Sequence, residues 1–243
     1  MARIGIIGSE GRMGRALLGV LESAEAHTLA GGVGRGGDVA ALADASDALV
    51  DFSSPQALAS NLHAAIGAGV PILIGTTGLI EDHHAAIDRA GQAVPVLQTG
   101  NTSLGVTLLA HLVAEAARRL GADWDIEIVE MHHRMKVDAP SGTALLLGEA
   151  AAKGRGVALA ENSEAGRDGQ TGARAPGAIG FASLRGGTVA GEHSVIFAGE
   201  QERLTLTHVA EDRRLFARGA IRAAEWLIGR PAGRYTMEDV LGL

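Results

Sequence analysis

At 243 residues, 47% of them hydrophobic and none cysteine, the chain can bury a sizeable core and has no disulfide, thiolate metal ligand or cysteine nucleophile to draw on. A formal net charge of −7, with no lysine/arginine cluster along a predicted face, excludes the electrostatic footprint of a nucleic-acid binder. No window reaches ~18 uninterrupted apolar residues and the apolar run of the opening MARIGIIGSEG is too short for a signal peptide, so a cytoplasmic protein without a membrane partner is expected.

Residues 3–7 read as a buried strand, GSEGRMG as a turn, and Arg12–Ala24 as a helix carrying Met13, Leu17, Leu18 and Leu21 on its apolar face. Further strands are expected at Thr28–Val33, Ala48–Phe52, Val70–Ile74 and in VPVLQT, ending near residue 99, with helical segments near 55–68 and 81–92 between them. Strands alternating with helices at this spacing predict a Rossmann-like, doubly wound parallel sheet. The repeat of apolar residues from Leu104 to Leu120 is one face of a long helix.

From residue 124 the pattern changes to a strand (WDIEIVEM), a helix (TALLLGEAAAKG) and three strands (AIGFASLR, EHSVIFAG, ERLTLTHVA), two of them joined through the glycine pair of RGGTVAG. This predicts a second, α+β domain with a mixed sheet and hairpins. Residues 160–177, rich in Gly, Ala and Arg, read as a long mobile loop, and a last helix, Arg213–Ile228, as packing back on the first domain. The expected division is residues 1–103 with 211–243, and 104–210. Glycine is the outlier of the composition, 35 residues or about twice the usual ~7% share, which implies many tight turns or close backbone approaches to a ligand.

Gly8, Gly11 and Gly14 form G-x-x-G-x-x-G between a strand and a helix. That is a variant of the dinucleotide fingerprint, whose glycines permit a tight turn while the helix start offers N–H donors and positive dipole to a pyrophosphate. At the end of the second strand, where a carboxylate would bond a ribose 2′-OH, stand Gly34 and Arg35. Arg35 either pairs with a 2′-phosphate, favouring NADPH over NADH, or is simply solvated.

The second motif is EMHHRMKVDAPSGTA, residues 130–144. Pro140 disfavours helix at Ala139, and Ser141 is a good N-cap for a helix starting at Gly142, so His132, His133 and Lys136 are expected in the loop between strand and helix. Cations beside a helix start whose donors include the N–H groups of Gly142 and Thr143 suit a carboxylate. An imidazole there can serve as acid or base, and an ammonium can anchor an anion or release a proton. A surface histidine pair and a solvated Lys136 remain compatible. Zinc on Glu130, His132 and His133 is disfavoured, because adjacent strand residues point apart and H-E-x-x-H spacing is absent; no metal is expected. Asp51, in VDFSSP, reads as a cap for the next helix. A nucleotide-sensing regulator that keeps only the dinucleotide half is the rival reading, and the intact His132, His133 and Lys136 favour an enzyme.

Together with GRMG, VDFSSP, GTTG and RGGTVAGEHSVIFAGE, this stretch resembles the dihydrodipicolinate reductase family of bacterial diaminopimelate and lysine synthesis, over nearly the whole chain. The resemblance implies a dinucleotide-binding domain and a substrate-binding, oligomerisation domain closing over the ligands, with hinges near 102–105 and 209–213. It implies hydride transfer from NADPH or NADH to C4 of a cyclic, dicarboxylated, unsaturated imine, and a homotetramer built by pairing the second-domain sheets. By position, His132 matches a proton donor/acceptor, Lys136 a proton donor and His133 a substrate-binding histidine, while Gly142 and Thr143 match the pair that holds a substrate carboxylate. Gly8, Ser9, Glu10, Gly11, Arg12 and Met13 match the phosphate turn, and Arg35 the residue near the adenosine ribose. Phe52 and Ser53 match a cofactor-side strand end, and Gly75, Thr76 and Thr77 the nicotinamide-side loop. Thr99, Gly100, Asn101 and Thr102 match a motif usually written Ala-Pro-Asn-Phe; with Gly100 and Thr102 in place of proline and phenylalanine, a looser hinge is expected. Gly34 replaces a glutamate of several relatives, which weighs against NADH.

Overall fold

The computed structural model describes residues 1–23 and 27–243. In chain order the elements are β1 (Ala2–Ile7), α1 (Arg12–Glu22), β2 (His27–Val33), α2 (Val39–Asp44), β3 (Ala48–Asp51), α3 (Leu58–Ala68), β4 (Ile72–Ile74), α4 (Glu81–Gly91), β5 (Pro95–Gln98) and α5 (Leu104–Leu120). They continue with β6 (Asp125–His132), α6 (Gly142–Arg155), α7 (Leu159–Asn162), β7 (Ser163–Ala165), β8 (Ile179–Arg185), β9 (Gly191–Ala198), β10 (Arg203–Ala210), α8 (Arg214–Leu227), β11 (Gly233–Tyr235) and α9 (Met237–Leu241). Ala24, where the first helix was expected to end, lies outside the described residues. The chain divides into two compact units, Met1–Leu104 with Arg213–Leu243, and Gly105–Asp212.

In the first unit six parallel strands lie in the order β11-β5-β4-β3-β1-β2. Both faces are covered, which is why β3 (ALVD) and β4 (ILI) are buried at every residue. Alternation sends Ile4, Ile6, Val50, Leu73 and Leu97 to one face, against Leu17 and Leu21 of α1 and Ala220, Ala224 and Leu227 of α8. Ile7, Leu49, Ile72, Ile74 and Val96 point to the other, against Leu58 and Leu62 of α3 and Ile87 of α4. Small residues let α8 sit close: a Cβ on Gly219 would lie 1.8 Å from the Thr102 carbonyl oxygen. The fold is the doubly wound parallel sheet that the alternation of strands and helices predicts. Three elements escaped it: α2, whose N-cap Asp38 accepts from the Ala41 N–H at 3.0 Å, the three-residue β11, and α9, which follows the helix expected to be the last.

The second unit is built on a mixed five-stranded sheet, β10-β9-β6-β8-β7, in which β6, β8 and β7 run parallel and β9 and β10 antiparallel to their neighbours. Ile126, Ile128, Ile179, Phe181, Val195 and Phe197 form the inner face, packed on Val113 and Ala117 of α5 and Leu147 and Ala151 of α6. The glycine pair of RGGTVAG does not make a hairpin: β6 lies between β8 and β9, and the hairpin is β9–β10, closed where Ala198 faces Arg203. Nor is 160–177 a single loop. It begins in α7 and in β7, which adds to the sheet edge beside β8. The remainder is tied down by arginines: Arg167 donates to both Glu127 oxygens at 2.9 and 3.0 Å, and Arg174 to Glu127 and Asp125 at 2.8 Å each.

Candidate active site

The register of the first sheet pairs Val33 with Ile7, Ile7 with Asp51, Asp51 with Ile74 and Ile74 with Gln98. The residues that follow therefore come out level at the carboxyl edge: Gly34, Gly8, Phe52, Gly75 and Thr99. Backbone bonds stitch the row, from Gly8 N to Val33 O at 2.9 Å, Phe52 N to Ile7 O at 3.0 Å, Gly75 N to Asp51 O at 2.8 Å and Thr99 N to Ile74 O at 3.0 Å. In open α/β sheets ligands bind outside the carboxyl ends where the strand order reverses, here beside β1.

Residues of this row fit a dinucleotide. Gly8 has φ +84°, and a Cβ on Gly14 would fall 2.2 Å from the Gly8 carbonyl oxygen, so the turn closes on the start of α1 only with glycine at both places. Gly11 caps α1 without a side-chain bond, which leaves the first N–H groups, including those at Arg12 and Met13, to an anion. Gly75 makes room for the Phe52 ring, whose Cε1 would lie 2.2 Å from a Cβ there. Ser9 and Thr76 are buried, while Glu10, Arg35 and Thr77 are exposed.

Asp51 does not cap a helix. Fully buried, it accepts from the Ser53 N–H at 2.8 Å and from Asn61 Nδ2 at 2.9 Å, pinning the loop after β3 to α3. Burial pushes its carboxyl above the ordinary range, against the pull of those hydrogen bonds. The segment from Thr99 is hydrogen-bonded within itself and to α8: Thr99 Oγ1 donates to Asn101 O at 2.8 Å, Asn101 Oδ1 accepts from Ser103 N at 2.9 Å, and Thr102 Oγ1 donates to Phe216 O at 2.7 Å. Thr102 thus turns its hydroxyl into the packing under α8.

In the second unit His132 is the last residue of β6 and not part of the loop after it. Strand alternation places Glu130 and His132 on the same inward face, where they are 1% and 8% exposed. Glu130 Oε2 lies 2.5 Å from His132 Nδ1, and Arg185 grips both Glu130 oxygens at 2.8 Å. Burial alone would raise the Glu130 carboxyl; the Arg185 guanidinium and the His132 ring outweigh it and hold it at about 2. An ionised carboxylate only accepts, so it fixes the proton of His132 on Nδ1 and leaves Nε2 for exchange. A Cβ on Gly191 would sit 3.1 Å from that Nε2; glycine keeps the space open.

The same carboxylate reaches the helix start. Glu130 Oε1 accepts from Ser141 N at 3.3 Å, and Ser141 caps α6 by accepting from Ala144 N at 3.1 Å. Gly142 and Thr143 are the first two residues of that helix. Arg185 also donates to the Asp138 carbonyl at 2.7 Å, and the Asp138 carboxylate takes Lys136 Nζ on both oxygens at 2.8 Å. The Lys136 ammonium draws the Asp138 carboxyl below the usual range. His132, Lys136 and the N-terminus of α6 are therefore parts of one bonded cluster, with His133 held next to them by its N–H to Val189 O at 2.8 Å.

Glu130, which the sequence offers only as a zinc-ligand candidate, is the hub of this cluster, and Arg185 and His193 join it from distant strands. The i, i+2 spacing of Glu130 and His132 on a strand was the available signal. His193 Nε2 lies 2.9 Å from Ser141 Oγ and its ring stands edge-on to His132, centroids 5.1 Å apart. Burial, with the His132 charge acting the same way, pushes His193 from 6.5 down to about 4. The unfolded chain takes up that proton below 6.5 and the native state refuses it until about 4, so stability falls as pH drops through this window. Denaturant titrations at about pH 7 and pH 5 should show that loss in the wild type and a smaller one in His193→Gln; equal losses would contradict it.

Known proteins resemble the chain along its whole length. The family model described as dihydrodipicolinate reductase, N-terminus, matches residues 2–102, and that described as dihydrodipicolinate reductase, C-terminus, matches residues 105–241. A 4-hydroxy-tetrahydrodipicolinate reductase of Zymomonas mobilis subsp. mobilis is 54% identical, with 99% of this chain and 97% of the relative covered. One of Rhodopseudomonas palustris is 53% identical, at the same coverage. A dipicolinate-bound dihydrodipicolinate reductase from Paenisporosarcina sp. has the same fold, with a TM-score of 0.79 over 97% of both chains at 22% identity. With both halves matched and half of all residues shared along the whole length, the chain belongs to the dihydrodipicolinate reductase family.

Proposed function

We propose that this protein catalyses the NAD(P)H-dependent reduction of 4-hydroxy-tetrahydrodipicolinate to tetrahydrodipicolinate in the diaminopimelate route to lysine. The observation that carries the reading is the cluster in which Glu130 joins His132 to the capped start of α6. Two carboxylates on a small ring need cations and N–H donors; the 4-hydroxyl leaves as water to give a conjugated ring imine, hydride addition at C4 turns that into an enamine, and the enamine needs a proton on the neighbouring ring carbon to become the imine of the product. The names of the relatives and the dipicolinate held by the Paenisporosarcina protein support the substrate class.

On this reading the N–H groups of Gly142 and Thr143 and the His133 side chain hold the substrate's carboxylates, helped by Lys136. Lys136, which also serves as a proton donor, leaves Asp138 to do so, exchanging one carboxylate partner for another. His132 delivers a proton from Nε2, and Glu130 stabilises the imidazolium that carries it. When bound, the nicotinamide cofactor supplies the hydride, directed to ring C4. Gly8 to Met13 receive its pyrophosphate; Phe52, Ser53, Gly75, Thr76, Thr77 and the segment Thr99–Thr102 flank its nicotinamide side. Arg35 faces the adenosine ribose, favouring NADPH and leaving NADH as second cofactor.

Residues 1–103 with 211–243 then act as the dinucleotide-binding domain and 104–210 as the substrate-binding and oligomerisation domain, in a cytoplasmic homotetramer. The face of the second sheet opposite its helices, with Leu184 and Val209 half exposed, is the surface for pairing. A coupled assay tests the activity. The product of dihydrodipicolinate synthase, formed in situ, should drive oxidation of NADPH or NADH by this protein; no oxidation above the synthase-only control would refute it.

A further inference from the structure

Gly34 stands at one end of the row of residues that follow the strands, where dinucleotide-binding sheets present a carboxylate to the adenosine ribose. The backbone does not ask for glycine there, since Gly34 is not among the glycines of positive φ. Space does. A Cβ on Gly34 would lie 2.4 Å from the Glu10 carboxyl carbon and 2.6 and 2.7 Å from its two oxygens. The carboxylate missing from position 34 is supplied by another residue, in the place a side chain of residue 34 would occupy.

Glu10 is brought there by a turn fastened to the end of β2. The N–H groups of Gly8 and Ser9 both donate to the Val33 carbonyl, at 2.9 and 3.1 Å. Gly32 leaves room for Ser9, whose Cβ would be 2.8 Å from a Cβ at residue 32. Arg15 Nε donates to the Glu10 carbonyl at 3.0 Å and fixes the backbone from the α1 side. The carboxylate itself makes no hydrogen bond or ion pair among the described residues, so it is available to a ligand.

We infer that Glu10 is the acceptor for the adenosine ribose 2′-OH, and that Glu10 and the neighbouring Arg35 set opposite cofactor preferences at one position. The inference rests on the cofactor reading proposed above. A carboxylate bonds a 2′-OH and repels a 2′-phosphate, whereas a guanidinium attracts the phosphate. Loss of the glutamate from position 34 therefore does not remove NADH as a cofactor.

The test is the dissociation constants of NADH and NADPH, measured by titration calorimetry on the substrate-free protein. Glu10→Ala should weaken NADH by about tenfold or more while NADPH binds as well as before or better. Carrying the carboxylate back to the strand end, in Glu10→Ala combined with Gly34→Glu, should restore NADH, and Arg35→Ala should weaken NADPH selectively. An unchanged NADH affinity in Glu10→Ala, or equal changes for both cofactors, overturns the role of Glu10 and leaves the cofactor reading standing. If the wild type binds neither nucleotide, both fall.

Discussion

Replacing His132 by alanine is expected to lower kcat by about 10²–10⁴-fold while the affinities for NADH and NADPH stay near the wild-type values. The split follows from the unit that carries the residue: His132 ends β6 in the second unit, bonded to Glu130, whereas the glycine row proposed to receive the nucleotide belongs to the first. On the proposed reading its loss removes a proton donor held in one tautomer and leaves the glycine turn untouched. Glu130→Gln sharpens the test, because it keeps the shape and removes the charge that stabilises the imidazolium. We expect a large fall in kcat with a smaller change in KM, and a displaced acidic limb in the pH profile of kcat/KM. Steady-state kinetics decides it, and wild-type turnover in His132→Ala would contradict the assignment.

Lys136→Ala is expected to be at least as damaging, with both KM and kcat affected and kcat/KM reduced by about 10³-fold or more. On the proposed reading anchoring and protonation meet in this one ammonium, so the effect exceeds that of removing a surface charge. Asp138→Asn is the companion variant. It takes away the carboxylate that engages Lys136 at 2.8 Å, and with it the group a substrate carboxylate must displace. Its KM should be equal to or lower than that of the wild type. A Lys136→Ala enzyme with only a raised KM would reduce the residue to an anion anchor, and an Asp138→Asn enzyme with a raised KM would count against exchange of partners.

The parallel sheet was legible because its inner strands are largely buried on both faces and read as short apolar runs, and because glycines at 8, 11 and 14 can follow such a strand only as a tight turn. The capped start of α6 was legible too, since Pro140 and Ser141 act locally. What the sequence hid depends on partners far along the chain. Arg185 meets Glu130 across the β6–β8 pair, and no local pattern announces it. The glycine pair of RGGTVAG suggested a hairpin because turn chemistry states that the chain bends and not which strand it rejoins; β6 takes the place between β8 and β9. Short elements such as α2, β7 and β11 carry too few residues for a period to be read. The Glu10 carboxylate beside Gly34 was hidden for the same reason as Arg185, a contact between two loops that only the folded sheet brings level.

The most direct measurement is a crystal structure with dipicolinate and NADH bound. The account predicts the ring's carboxylates within hydrogen-bond reach of the Gly142 and Thr143 N–H groups, Lys136 Nζ turned from Asp138 to the ligand, and His132 Nε2 facing the ring. An acid ligand seated away from His132 and Lys136, with the Lys136–Asp138 pair undisturbed, would contradict it.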